Sequence, residues 1–112
     1  MSTYGKKALI YWNYEEKSSQ EEMYRFNNTA HNIQEEILKK WYPIGFTCEM
    51  TSRAKEDTKY YGSFTLTKYV KYGYGWRVEV IDKNGYINTL HPGLLRPDKE
   101  WRREEKLKKL GI

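Results

Sequence analysis

Six apolar side chains, Met23, Phe26, Ala30, Ile33, Ile37 and Trp41, follow one another at steps of 3, 4, 3, 4 and 4 residues. A helix of 3.6 residues per turn brings all six to one side, whereas a strand of period two would scatter them over both faces. Ser18 and Ser19 each stand three residues ahead of a glutamate, Glu21 and Glu22, the spacing with which a capping box opens a helix. Glu35 with Lys39 and Glu36 with Lys40 add i,i+4 charge pairs on the opposite face, and Pro43 and Gly45 stop the run. The spacing predicts one continuous helix over residues 19–41.

That stripe needs something to pack against, and the chain is poor in aliphatic residues. Only 38% of its 112 residues are hydrophobic, but 16% are aromatic. Each buried ring removes about 150–250 Å² from water, so a few rings can build the core of one domain spanning 1–112. Before the stripe, Lys6–Tyr14 is rich in aromatic and branched residues and is expected to be a strand. After it, Phe46–Thr51, Tyr60–Lys71, Tyr74–Asp82 and Tyr86–Leu90 are predicted strands, and the polar Ser52–Lys59 a loop. Tyr72-Gly73-Tyr74-Gly75 and the Asn84-Gly85 pair suit hairpin turns, since Asn and Gly tolerate positive φ. Residues 98–110 are predicted to form a charged helix capped by Asp98, and Leu94-Leu95 to anchor the preceding turn. The expected class is α+β: a long N-terminal helix packed on a small antiparallel sheet or barrel, with a short C-terminal helix.

Within the β-rich part, residues 45–97, the segment Gly75-Trp76-Arg77-Val78-Glu79-Val80-Ile81-Asp82-Lys83-Asn84-Gly85-Tyr86-Ile87 and the Leu94-Leu95-Arg96-Pro97 turn resemble a small SH3-like barrel of the KOW or Tudor type. Such barrels bind RNA, DNA or peptides, so the resemblance implies binding more than chemistry.

The catalytic inventory is thin. A single cysteine, Cys48, allows no intramolecular disulfide, and with two separated histidines it offers no metal-ligand spacing. Cys48 in a strand reads as a small core thiol, His31 as a partly buried or solvated helix residue, and His91, before Pro92, as the more exposed histidine. The glutamate doublets diverge by about 100° on a helix and do not converge on one site. No enzyme activity and no cofactor are expected. No apolar run approaches the roughly 18 residues of a membrane span, and Met1–Lys7 lacks a signal-like apolar stretch, so the cytoplasm is the expected compartment. Asn27-Asn28-Thr29 matches a glycosylation acceptor but falls inside the predicted helix, and it is read as chance.

The net charge is +5, distributed as +1 over residues 1–17, −1 over 18–42, +3 over 43–97 and +2 over 98–112. A positive excess in the second half favours polyanionic partners. It coincides with a basic-aromatic stretch, Lys59–Arg77, in which Phe64, Leu66 and Trp76 read as core. Lys59, Lys68, Tyr69, Lys71, Tyr72, Tyr74 and Arg77 are the expected partner-binding residues, with Trp101, Arg102 and Arg103 of the C-terminal helix as further anchors. Cations that follow phosphates and rings that stack on bases suit RNA or DNA. Exposed Tyr, Trp and Arg equally suit a larger protein, to which the chain would be an adaptor or inhibitor. The heavy use of Lys, Tyr, Asn and Ile is similar to that of proteins from AT-rich genomes, including small phage proteins, and suggests a host-directed factor.

Overall fold

The predicted long helix is broken. In a computed structural model that describes residues 3–111, the stripe is divided between α2 (Gln20–Asn27) and α3 (His31–Trp41). The cause lies in Asn28 and Thr29, whose side chains bond the backbone behind them. Asn28 Nδ2 donates to Tyr24 O at 2.8 Å and Thr29 Oγ1 to Arg25 O at 2.8 Å. They thereby take the carbonyls on which the last turn of α2 ends. Ala30 then adopts ψ 139° as the N-cap of α3. The break changes which residues are inside: Phe26, Ile37 and the off-stripe Gln34 and Leu38 are buried, while Ala30 is exposed. The serine cap was legible, for Ser19 Oγ accepts from Glu22 N at 3.2 Å.

Two further elements differ from expectation. Residues 6–14 do not form a strand; Tyr4–Ile10 is a helix, α1, followed by an irregular stretch and a 3-10 turn at Glu16–Ser18. Lys-Lys-Ala-Leu lacks the alternation of a strand and is made of good helix formers. α1 lies against α3, where Trp41 Nε1 donates to Ala8 O at 2.7 Å. The expected loop after Phe46–Thr51 is a helix, α4 (Ser52–Thr58), capped by Thr51 Oγ1 and ended by Lys59 in the left-handed conformation (φ 60°).

The four strands expected between residues 46 and 90 form, and a fifth lies at Leu95–Pro97, where a turn was expected. β1 (Thr47–Met50), β2 (Ser63–Tyr72), β3 (Gly75–Asp82), β4 (Ile87–Leu90) and β5 (Leu95–Pro97) make one antiparallel sheet in the order β4-β3-β2-β1-β5. A 3-10 turn, Pro92–Leu94, returns the chain to β5, and α5 (Lys99–Lys109) follows with Asp98 accepting from Trp101 N at 2.9 Å. The core joins Phe46, Cys48, Phe64, Leu66, Val78, Val80 and Leu95 of the β-rich half to Trp12, Phe26, Ile37, Leu38 and Tyr42. Tyr42, fully buried, is surrounded edge-on by Trp12, Tyr14 and Phe46. Its hydroxyl accepts from Trp12 Nε1 at 3.1 Å and donates to Pro92 O at 2.6 Å. Rings and aliphatic side chains share this core, and the Tyr42 hydroxyl ties both halves together.

Candidate functional site

The Lys59–Arg77 stretch is not one face. Between Leu66 and Lys68 the β2–β3 register slips, leaving Thr67 as an extra residue in β2. A bulge of this kind reverses which side chains face inward beyond it. Before it, Phe64 and Leu66 are buried; after it, Tyr69 is the residue opposite the buried Val78. Tyr69 is therefore half-buried, and its hydroxyl donates to Tyr42 O at 2.7 Å, closing the end of α3. Strict alternation places Tyr69 outward; the bulge makes it a structural residue.

Other members are dispersed. Lys59 caps α4, at the opposite end of the ten-residue β2 from Tyr72. Lys68 is exposed in mid-strand, with Glu79 3.6 Å from its ammonium. Trp76, half-buried, leans on the core as predicted.

Three of the predicted residues converge at the β2–β3 turn. Tyr72 and Tyr74 lie either side of Gly73, exposed and stacked, with ring centroids 5.2 Å apart and planes 6° from parallel. The Arg77 guanidinium lies 4.9 Å from the Tyr74 ring centre, a cation–π contact. Lys71 Nζ instead lies 6.0 Å from the ring of Trp76, its partner across the hairpin. The stacked rings are held from beneath. Arg77 donates to Trp76 O at 2.8 Å and to Asn27 Oδ1 at 3.1 Å, and the buried Gln34 accepts from Trp76 N at 2.9 Å. Gly75 lets Gln34 approach: a Cβ there would meet Gln34 Oε1 at 2.7 Å, and its φ of 135° suits glycine alone.

His91 belongs to this support and is not exposed as expected; it is 8% accessible. Its Nδ1 accepts from Gly93 N at 2.8 Å, so the proton sits on Nε2, which donates to Asn27 Oδ1 at 3.0 Å. Burial, then the charge of Arg77, push its pKa down to about 3, and the ring is neutral at pH 7. Cys48 is fully buried and burial pushes its thiol far up, with Asp98 adding to the shift. His31 begins α3, half-buried. Among the described residues no group of three or more His, Cys, Asp or Glu is placed to hold a metal ion, and no helix is long and apolar enough to cross a membrane.

Trp101, Arg102 and Arg103 belong to a second place. They line an open groove of about 900 Å³ between α5 and the end of α3, together with Tyr14, Lys40 and Trp41. Trp101 packs edge-on against Phe46, with ring centroids 5.2 Å apart, which docks α5 on the sheet half. Sequence reasoning missed Tyr14, Lys40 and Trp41 because they come from segments distant in the chain. It missed Asn27 because it treated Asn27-Asn28-Thr29 as helix interior.

The two places lie at opposite ends of α3, with Gln34 under the turn and Trp41 in the groove. No protein-family model matches the chain, and comparison with curated proteins and with solved structures finds no match.

Proposed function

We propose that this chain is a non-catalytic binding protein of the cytoplasm that docks on a larger protein or protein complex, as an adaptor or inhibitor of the phage-type, host-directed kind. The observation that carries the reading is the outward-facing, stacked Tyr72–Tyr74 pair with Arg77 against it. Tyr and Arg dominate the energetics of protein interfaces, and a ring held in place before binding loses little entropy on contact. The hydrogen bonds from Gln34 and Asn27 supply that preorganisation. The inaccessible thiol of Cys48 and the neutral, hydrogen-bonded ring of His91 support a role without catalysis or cofactor. The strand order β4-β3-β2-β1-β5, with a 3-10 turn leading into the last strand, supports the resemblance to small SH3-like barrels.

The test is affinity purification of the tagged protein with and without nuclease, followed by affinity measurement on the recovered partner. Tyr72→Ala with Tyr74→Ala is expected to weaken the complex by about 30-fold or more, the loss of one or two hot-spot side chains, at unchanged melting temperature. Retention of full affinity by that double variant would overturn the assignment of the turn. Loss of the partner on nuclease treatment would overturn direct docking on a protein.

A further inference from the structure

The C-terminal helix mixes both signs of charge along the sequence, but folding separates them. α5 carries the glutamates Glu100, Glu104 and Glu105, and only Glu105 faces the groove between α5 and α3. Its carboxylate is already opposite Lys108, at 3.7 Å. Five cations of the same helix line the groove: Lys99, Arg102, Arg103, Lys106 and Lys109. Among the described residues no carboxylate lies within ion-pair distance of any of these five. Lys40 adds a sixth positive charge from α3, its ammonium bonded to Leu9 O and 5.1 Å from the Trp41 ring centre. A segment with a formal excess of +2 thus presents a groove in which six cations face one carboxylate.

The form of this positive surface narrows what it can hold. From Lys99 to Lys109 the cations extend over about 15 Å of helix, so they match a linear polyanion better than a single anion. Three aromatic side chains, Tyr14, Trp41 and Trp101, line the same groove. Charge alone would serve an acidic peptide. A peptide that docks as an added strand needs free backbone partners, however, and these walls offer few. The helices satisfy their own amides, and Pro43 and Pro97, which complete the lining, have no N–H. Phosphates need only cations and bases only aromatic surface, and this groove is lined by both.

We propose that the α3–α5 groove binds single-stranded nucleic acid, phosphates on the cations of α5 and bases against Trp41 and Trp101. This site is separate from the tyrosine turn and does not depend on the docking assigned to it.

Fluorescence anisotropy with a labelled oligothymidylate or oligouridylate of about 12 nucleotides tests it directly. Binding is expected at about 50 mM salt, and with five phosphate contacts it should fall about 100-fold by about 200 mM, a log–log slope of about −3.5. Replacing Lys99, Arg103, Lys106 and Lys109 with Ala in one variant should weaken binding at least about tenfold and flatten the slope by about 3. Alanine favours helix at these exposed positions, so an unchanged circular dichroism spectrum is expected alongside. Tyr72→Ala with Tyr74→Ala should bind the oligonucleotide as the parent does, which separates this site from the turn. The proposal is overturned if no binding occurs at the lower salt, or if the four-alanine variant binds as well as the parent. Equal affinity for a duplex of the same length would overturn it too, and so would displacement by polyglutamate at matched charge, which would assign the groove to an acidic protein segment.

Discussion

Gln34 ties the carbonyl of Phe26 to the amide of Trp76 at the start of β3, and Gln34→Met isolates its contribution. The side chain is fully buried; Nε2 donates to Phe26 O at 2.7 Å, and Oε1 accepts from Trp76 N at 2.9 Å. Methionine keeps the length and nearly the volume, so no large cavity forms and the change is confined to the two hydrogen bonds. They are not equivalent. Phe26 O also receives the amides of Asn28 and Thr29, and it stays satisfied without Gln34. Trp76 N precedes the first residue of β3 paired to β4, Val78, and loses its acceptor, Gln34 Oε1. A buried amide left without an acceptor costs about 1–3 kcal/mol, and the second, shared bond adds about 0.5–1.5 kcal/mol. The expected loss is therefore about 2–4 kcal/mol, which for a domain near 100 residues lowers the melting temperature by roughly 8–16 °C. Urea unfolding should show a lower midpoint at unchanged slope, because the surface exposed on unfolding is the same. Amide exchange should rise first at Trp76. A loss below about 0.5 kcal/mol, with Trp76 still protected, would show that the β3 start holds itself and that the tyrosine turn is not preorganised from α3.

Two further outcomes follow from the same contacts. His91 keeps a folded-state pKa of about 3 against its ordinary 6.5, so between these values the unfolded chain binds the additional proton. Stability is therefore complete above about pH 6.5 and falls as the solution is acidified, by roughly 2 kcal/mol at pH 5. Urea titrations at a series of pH values should show this slope, and His91→Gln should flatten it; an equal slope in both would assign the acid sensitivity to another group. Tyr69→Phe removes one hydrogen bond to Tyr42 O and should cost about 1 kcal/mol while leaving partner binding intact, in contrast to changes at Tyr72 and Tyr74. A weakened complex at unchanged stability would put Tyr69 back on the binding surface.

Much of the strand layout could be read from the chain because its signals are local. Asn84-Gly85 and Tyr72-Gly73-Tyr74-Gly75 mark their turns by chemistry that needs no neighbours, and Val78 and Val80 alternate with exposed or half-exposed residues. Asp98 announces α5 in the same way. The missed elements are those decided by competition. The stripe from Met23 to Trp41 has a perfect helical period, but Asn28 and Thr29 can satisfy the backbone with their own side chains, and periodicity of apolar residues is blind to that. Residues 6–14 were read as a strand from their aromatic and branched side chains, but residues 4–10 are helix, where Ala8 and Gly5 pack against α3. The helix 52–58 had a readable cap in Thr51, but its polar composition pointed to a loop.

The candidate sites divide along the same line. The sequence by itself determined that rings would take a share in the core, that the sheet would be antiparallel, and that Tyr72 and Tyr74 would stand exposed at a turn, because turn chemistry and residue type act over a few residues. Only the tertiary structure decided that Tyr69 turns inward, since one unpaired residue in β2 reverses the facing of everything beyond it. Only the tertiary structure brought Gln34, Asn27 and His91 beneath the turn, and only it sorted the charges of α5 into a basic groove and an opposite face. Charge along a chain is a sum, but a binding surface is a selection from that sum, and packing makes the selection.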